Sequence, residues 1–218
     1  MALSAIQTSS KRDQVVNVLR GLIVTGKLQP GERIVESRIA RELGVSQAPV
    51  REALALLERQ GLVVKIQNRG NFVSRLHARE LRELFTLRAV LDAFSARLAA
   101  EKATPADITL LRGLLTRMRT AEKAGDLAKL TDAHLQLHEA IYRLSGHDLL
   151  REIFALIHPR MALALAFAEN LFSAEGHETD CHVPLIDALA ANDGDAAERI
   201  ANELATGWID QVVVEREK

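Results

Sequence analysis

From Lys11 onward apolar residues recur at helical spacing. Val15, Val18, Leu19, Leu22 and Ile23 share one face and predict a first helix over about 11–25, ended by Gly26. Gln29-Pro30-Gly31-Glu32 is a turn. A second helix is expected over 37–43 and a third over 47–60, where Val50, Ala53, Leu54 and Leu57 form a buried stripe. The pattern then changes to two short apolar runs, 62–66 and 71–73, joined by Gln67-Asn68-Arg69-Gly70, which reads as a β-hairpin with a basic tip. Residues 1–10 carry no pattern and are expected to be disordered; 76–78 form a short linker. Beyond it no strand is evident. Six helices are expected, over about 79–102, 105–123, 126–145, 147–172, 176–191 and 194–216, with Pro159 kinking the fourth. The expected fold is mostly α: a winged helix-turn-helix over 11–75, with three helices plus a hairpin wing, then an all-α six-helix bundle over 79–218.

The stretch from Leu43 to Val63 carries the most chemistry. Gly44 breaks one helix, Ser46 is placed to cap the next, and Pro49 falls in its first turn, where a missing N–H costs nothing. Gln47, Ala48 and Arg51 are left opposite the buried stripe, at the helix N-terminus. In a helix-turn-helix these are the positions that meet base edges in the major groove. The DNA-contacting set is therefore expected to comprise Arg38, Ser46, Gln47, Ala48, Pro49 and Arg51, with Lys65, Arg69 and Gly70 of the hairpin on phosphates or in the minor groove.

Charge supports that reading. Residues 1–75 hold twelve Lys/Arg against six Asp/Glu, a net of +6; residues 76–218 hold sixteen against twenty-three, a net of −7. Only the first part suits a polyanion. The composition, 48% apolar with 4% aromatic, favours packed helices. No apolar run is long enough to span a membrane, and the single cysteine, Cys181, excludes an intrachain disulfide; a cytoplasmic location is expected.

Two histidines interrupt the apolar stripe of the helix over 126–145. His134 and His138 are four apart and point into the bundle one turn above the other, a spacing that lets two imidazoles grip one ion. His182 must join them from a later helix. The other reading is three core histidines hydrogen-bonded to each other. His177 and Cys181, also four apart, are read as structural. Arg88 faces the bundle with Leu84, Leu87 and Leu91, and a buried guanidinium needs an anion: an organic acid, or an internal partner in Asp92 or Glu139.

The segments Gly26-Lys27-Leu28-Gln29-Pro30-Gly31-Glu32-Arg33, Ile39 to Ser46, Pro49-Val50-Arg51-Glu52-Ala53-Leu54, Gly61-Leu62-Val63 and Arg69-Gly70 resemble the GntR family of bacterial transcriptional regulators. Leu87 to Asp92, Leu137-His138-Glu139-Ala140-Ile141, Leu144-Ser145-Gly146 and Cys181-His182 resemble that family's FCD ligand-sensing domain, in its six-helix, VanR-like branch. The resemblance implies a homodimer on a palindromic double-stranded operator, a repressor rather than an enzyme, controlled by a small carboxylate effector. In metal-binding members an Asp, a His four residues on and two further His hold the ion. Here His134 stands at the Asp position, His138 and His182 match, and the last ligand falls on Leu204. The resemblance thus implies one divalent metal ion, Zn or Ni, on His134, His138 and His182; the effector-binding expectation for Arg88 rests instead on its need for an anion.

Two other functions compete. A metal-dependent hydrolase on the histidines lacks an acidic general base beside them in sequence, since Glu139 points about 100° away from His138. A sequence-blind architectural DNA binder would not need a large acidic helical domain.

Overall fold

The computed structural model describes residues 10–167 and 179–214, without the side chains of 127, 165–167 and 208–214. The expectations for residues 1–9, for the helix ends at 168–172, 176–178 and 215–216, and for His177 lie outside the described residues. The chain divides into two compact units, 1–75 and 76–218.

In the first unit, α1 (Lys11–Val24) starts at Ser10, whose hydroxyl accepts the Asp13 N–H at 3.1 Å. Its buried face is Val15, Val16, Leu19 and Ile23. Val18, expected in that face, is 42% exposed, because α1 docks on the third helix through the side that carries Val16. Next come β1 (Arg33–Ile34), α2 (Glu36–Glu42) and α3 (Gln47–Arg59). Gly44, at φ 64°, takes the left-handed conformation that turns the chain between α2 and α3. The expected stripe of Val50, Ala53, Leu54 and Leu57 is buried on α3.

The wing consists of β2 (Val63–Ile66) and β3 (Gly70–Val73), paired antiparallel with Val63 opposite Val73 and Ile66 opposite Gly70. The sheet is three-stranded rather than a lone hairpin. β1 pairs with β3, Arg33 opposite Phe72, giving the order β1-β3-β2. This added strand ties the turn after α1 into the wing and leaves β2 at an edge.

The second unit is helical: α4 (Ala78–Ala100), α5 (Pro105–Lys123), α6 (Leu127–Leu144), α7 (Asp148–Phe167), a single 3-10 turn (Asp180–His182), α8 (Val183–Ala190) and α9 (Gly194–Val214). Six α-helices therefore stand among the described residues, and Cys181 and His182 lie in the 3-10 turn rather than inside a helix. α4 begins one residue earlier than its pattern suggests, with Glu80 accepting the His77 N–H at 2.9 Å. α5 opens on a reciprocal cap between Thr104 and Asp107, followed by Pro105. α4 packs along α9, and α5 along α6. Small residues allow the close approach of α4: Ala96, Ala99 and Ala100 meet Ala197 and Ala201 in a core shared with Leu111, Leu115, Leu137, Leu185 and Leu189.

Candidate functional site

The exposed side of α3 presents Ser46, Gln47, Ala48 and Arg51 at its N-terminus, with Pro49 half-buried. Ser46 occupies the cap position with extended backbone, yet its hydroxyl makes no capping hydrogen bond. The reason is local. A capping hydroxyl reaches the N–H of the second or third helical residue, and Pro49 is the third. The expected cap is corrected accordingly, and the Ser46 hydroxyl remains on the exposed edge that faces outward from α3.

Arg51 is not a loose side chain. Its Nε donates to Glu36 Oε2 at 2.7 Å and its Nη2 to Gln47 Oε1 at 3.0 Å. The other oxygen of Glu36 accepts from Asn71 Nδ2 at 3.2 Å, and Asn71 is buried in β3. One carboxylate on α2 thus ties the reading helix to the wing. Neither Glu36 nor Asn71 was legible as functional in the sequence, since their partners lie 15 and 35 residues away in the chain. Arg38 pairs with Glu42 at 2.8 Å one turn on, on the exposed side of α2.

At the wing tip Asn68, φ 59°, and Gly70, φ 101°, form the reversal, closed by the Arg69 N–H donating to Ile66 O at 3.0 Å. Lys65 and Arg69 are exposed there. Arg33, which sequence reasoning passed over, lays its guanidinium about 3.6 Å from where a Cβ at Gly70 would stand, adding a third positive charge to the wing. Arg38 on α2 and Arg51 on α3 are thus joined in the same unit by a wing that carries Arg33 on β1, Lys65 on β2 and Arg69 in the turn before β3.

In the helical unit His134, His138 and His182 converge. All three are buried, and one ring nitrogen of each lies within 4.8 Å of the others. Their rings pack edge to face, with centroids 4.7 to 5.6 Å apart. Arg88 and Asp92 on α4 complete the cluster. Arg88 Nε donates to Asp92 Oδ2 at 2.9 Å and Arg88 Nη2 to His138 Nε2 at 2.6 Å. Asp92 Oδ1 accepts from the Tyr142 hydroxyl at 2.8 Å, and Oδ2 lies 3.4 Å from His138 Nδ1. Of the two internal partners expected for Arg88, Asp92 is the one it meets; Glu139 is exposed on the far side of α6.

This geometry fixes proton positions. A guanidinium has donors only, so His138 Nε2 must carry the lone pair, which puts its proton on Nδ1 facing Asp92. His134 Nε2, 3.0 Å from the same atom, is then the donor between the two rings. Burial first, then the charges of His182 and Arg88, hold His134 well below the usual 6.5. Burial and then Arg88 do the same to His138. Burial pushes the Asp92 carboxyl up against the pull of Arg88 and the Tyr142 hydroxyl. Tyr142 is raised by burial and by the facing Asp92.

Three imidazoles within one ion's reach fit the donor set of zinc or nickel. His134, His138 and His182 are the residues that would hold the ion, which would supply a Lewis-acidic centre for an anionic ligand. An acidic group does come near these histidines in the fold, Asp92 from α4, but it is tied down by Arg88 and Tyr142. Leu204 lines a cavity of about 10 Å³ with Asp92, Ala96, His138 and Tyr142, room for one water and too small for a metabolite. His147 caps α7, its Nδ1 accepting the Leu150 N–H at 3.3 Å. Cys181 Sγ lies 3.3 Å from His182 Nδ1.

The chain matches the gntR family of bacterial regulatory proteins over residues 11–73 and the FCD domain over residues 83–206. It is 29% identical over 194 residues to the HTH-type transcriptional regulator McbR of Escherichia coli K12, covering 88% of this chain and 87% of that one. It is also 29% identical over 191 residues to a probable D-xylose utilization operon transcriptional repressor of Paenarthrobacter nicotinovorans, covering 86% and 84%. The solved structure of E. coli McbR/YncC superposes with a TM-score of 0.83 at 27% identity, over 97% of this chain and 100% of that one. These relatives are transcription regulators, not enzymes. No helix among the described residues is long and apolar enough to cross a membrane. The chain belongs to the GntR family of transcriptional regulators, with an FCD domain following its DNA-binding winged helix.

Proposed function

We propose that this regulator is a repressor that binds an inverted-repeat operator as a homodimer, under the control of a small carboxylate metabolite that enters the helical domain. The observation that carries the DNA reading is Arg51, exposed at the start of α3 yet aimed by Glu36 and Gln47, beside a wing bearing Arg33, Lys65 and Arg69. A pre-aimed guanidinium suits bidentate contact with a guanine edge, and the wing cations suit phosphates. The P. nicotinovorans relative, named as a repressor, supports the direction of control.

The dimer face in this reading is an exposed apolar stripe. Leu87, Val90 and Phe94 lie on one side of α4, Val90 at 64% exposed, and Leu149 and Leu156 lie on α7. The Phe94 ring meets that of His147, 5.9 Å away at the start of α7, so the two sets adjoin. Regulators of this family usually act as dimers, and a second copy of the same stripe is its occupant.

In the helical domain Arg88 is the anion anchor, and His134, His138 and His182 hold one divalent ion. A metabolite would need more room than the water-sized cavity beside Asp92 and His138 gives. Such an effector shifts operator affinity only through its different affinity for the two arrangements. The test is fluorescence anisotropy of the full-length protein on inverted repeats from its own promoter region and on scrambled duplexes at several salt concentrations. Tight, salt-dependent binding to an inverted repeat supports the proposal; equal binding to scrambled DNA sinks it.

A further inference from the structure

His138 Nε2 has one lone pair and two claimants already in place, Arg88 Nη2 at 2.6 Å and His134 Nε2 at 3.0 Å. A metal ion held by this ring through Nε2 needs that same lone pair. His138 Nδ1 offers no alternative, because it carries the proton and faces Asp92 Oδ2 at 3.4 Å. Arg88 is itself a cation, buried and anchored at its Nε by Asp92, so its other arm is held against His138. Arg88 and Asp92 thus balance one another's charge without a metal, one guanidinium against one carboxylate.

We propose that the Arg88 guanidinium and a divalent cation exclude one another at His138 Nε2, so that Arg88 holds the cluster closed and must swing away before a metal enters. Arg88 acts as a built-in competitor for its own protein's metal site. The proposal builds on the reading of the three histidines as a metal site, but makes a claim that reading does not: the arginine weakens the site instead of leaving it untouched. Two positive charges sharing one imidazole in a buried, poorly screened position repel, whereas the same guanidinium without a metal is satisfied on both arms. His134 must also turn its proton to the far nitrogen when the ion binds, since its Nε2 is a donor in the closed cluster.

The test uses the full chain, stripped with chelator and without a histidine tag, with Zn²⁺ alone as the probe and no DNA present. Zinc affinity is measured by competition with a coloured chelator for the wild type, Arg88→Lys, Arg88→Gln and the double variant Arg88→Gln with Asp92→Asn. The double variant removes both buried charges together, so that an unpaired carboxylate does not unfold the domain; circular dichroism checks that each variant is folded. Arg88→Gln or the double variant should bind zinc tighter than the wild type by about ten- to a hundredfold, the range over which groups around metal ligands tune affinity. Arg88→Lys, which keeps a cation, should gain far less.

A second readout needs no variant affinity. The Arg88 Nε–H nuclear magnetic resonance signal, assigned by its loss in Arg88→Lys, should shift or vanish as zinc is added. Tighter zinc binding by the variants supports the proposal even where the wild type binds none, in which case only the resident-metal reading fails. Unchanged or weaker zinc binding in folded variants overturns it while leaving a wild-type metal site standing. Absence of zinc binding in all proteins overturns both. An Arg88 signal unmoved in zinc-loaded wild type also overturns the exclusion.

Discussion

Arg88 and His138 stand fifty residues apart in the chain and 2.6 Å apart in the fold, joined by a guanidinium that also grips Asp92. Removing one member of such a buried pair leaves the other charge uncompensated. Arg88→Ala should cost about 3–5 kcal/mol of stability, and adding Asp92→Asn should recover much of it. Urea unfolding followed through Trp208, the single tryptophan, which lies in α9, reads the effect. A loss below about 1 kcal/mol would mean the pair is not held as the geometry shows.

The buried histidines give the helical domain a dependence on pH. His134 and His138 are held well below 6.5, so the folded state keeps them neutral while the unfolded chain protonates them. Protons therefore favour unfolding. The stability is fully present above the unfolded value of 6.5 and is lost as pH falls below it, by up to about 1.4 kcal/mol per pH unit for each histidine. Asp92, raised by burial, acts in the opposite sense: its penalty grows as pH rises from 3.8 and so offsets part of the slope. Urea midpoints of the chelator-treated protein between pH 5 and 8 should fall toward acid, and the double variant His134→Gln with His138→Gln should flatten the curve.

On operator DNA, Arg51→Ala should cost about 1–3 kcal/mol and relax the preference at one base pair, whereas Arg69→Ala should weaken all sequences alike and lower the salt slope by about 1. Glu36→Gln keeps the shape but removes the charge that aims Arg51. It should raise binding to random DNA while narrowing the gap to operator. Anisotropy titrations on both duplexes across salt separate these outcomes; an Arg51→Ala protein with unaltered base preference would remove Arg51 from the reading set.

Charge placed on the α4 stripe tests the assembly. Val90→Glu puts a carboxylate at the middle of the exposed apolar face, and Leu87→Glu one turn away. Either should shift the protein to monomer in analytical ultracentrifugation and sharply weaken binding to a two-site operator while sparing a half-site. A dimer untouched by both substitutions places the interface elsewhere.

The elements marked by punctuation were readable from sequence. Gly44, Pro49 and Gly61 bracket α3, and the stripe of Val50, Ala53, Leu54 and Leu57 needs no partner to be recognised. What escaped depends on distant neighbours. β1 is two residues long and exists only because β3 pairs with it. Val16 replaces Val18 in the buried face of α1 because the docking of α3, not the period of α1, chooses between near-adjacent sides. Ser46 fails to cap for the opposite reason, a strictly local one: Pro49 supplies no N–H at the third position.

The helical site divides in the same way. The pair His134 and His138 follows from spacing within α6, and the approach of His182 was expected from a family pattern. Asp92 was visible as a partner for Arg88 one turn away, but not its contacts with His138 and Tyr142, since α4 and α6 come together only in the folded bundle. Leu204 stands beside them in the wall of a small cavity, an apolar side chain where a fourth ligand was expected.

The carboxylate of Glu36, shared between Arg51 and Asn71, has a consequence for engineering new specificities. Transplanting α3 alone into a related scaffold would carry the letters without the hand that holds them at the right angle. Residues 36, 51 and 71 form a transferable unit, and a graft that moves all three should keep its sequence preference where a helix-only graft loses it.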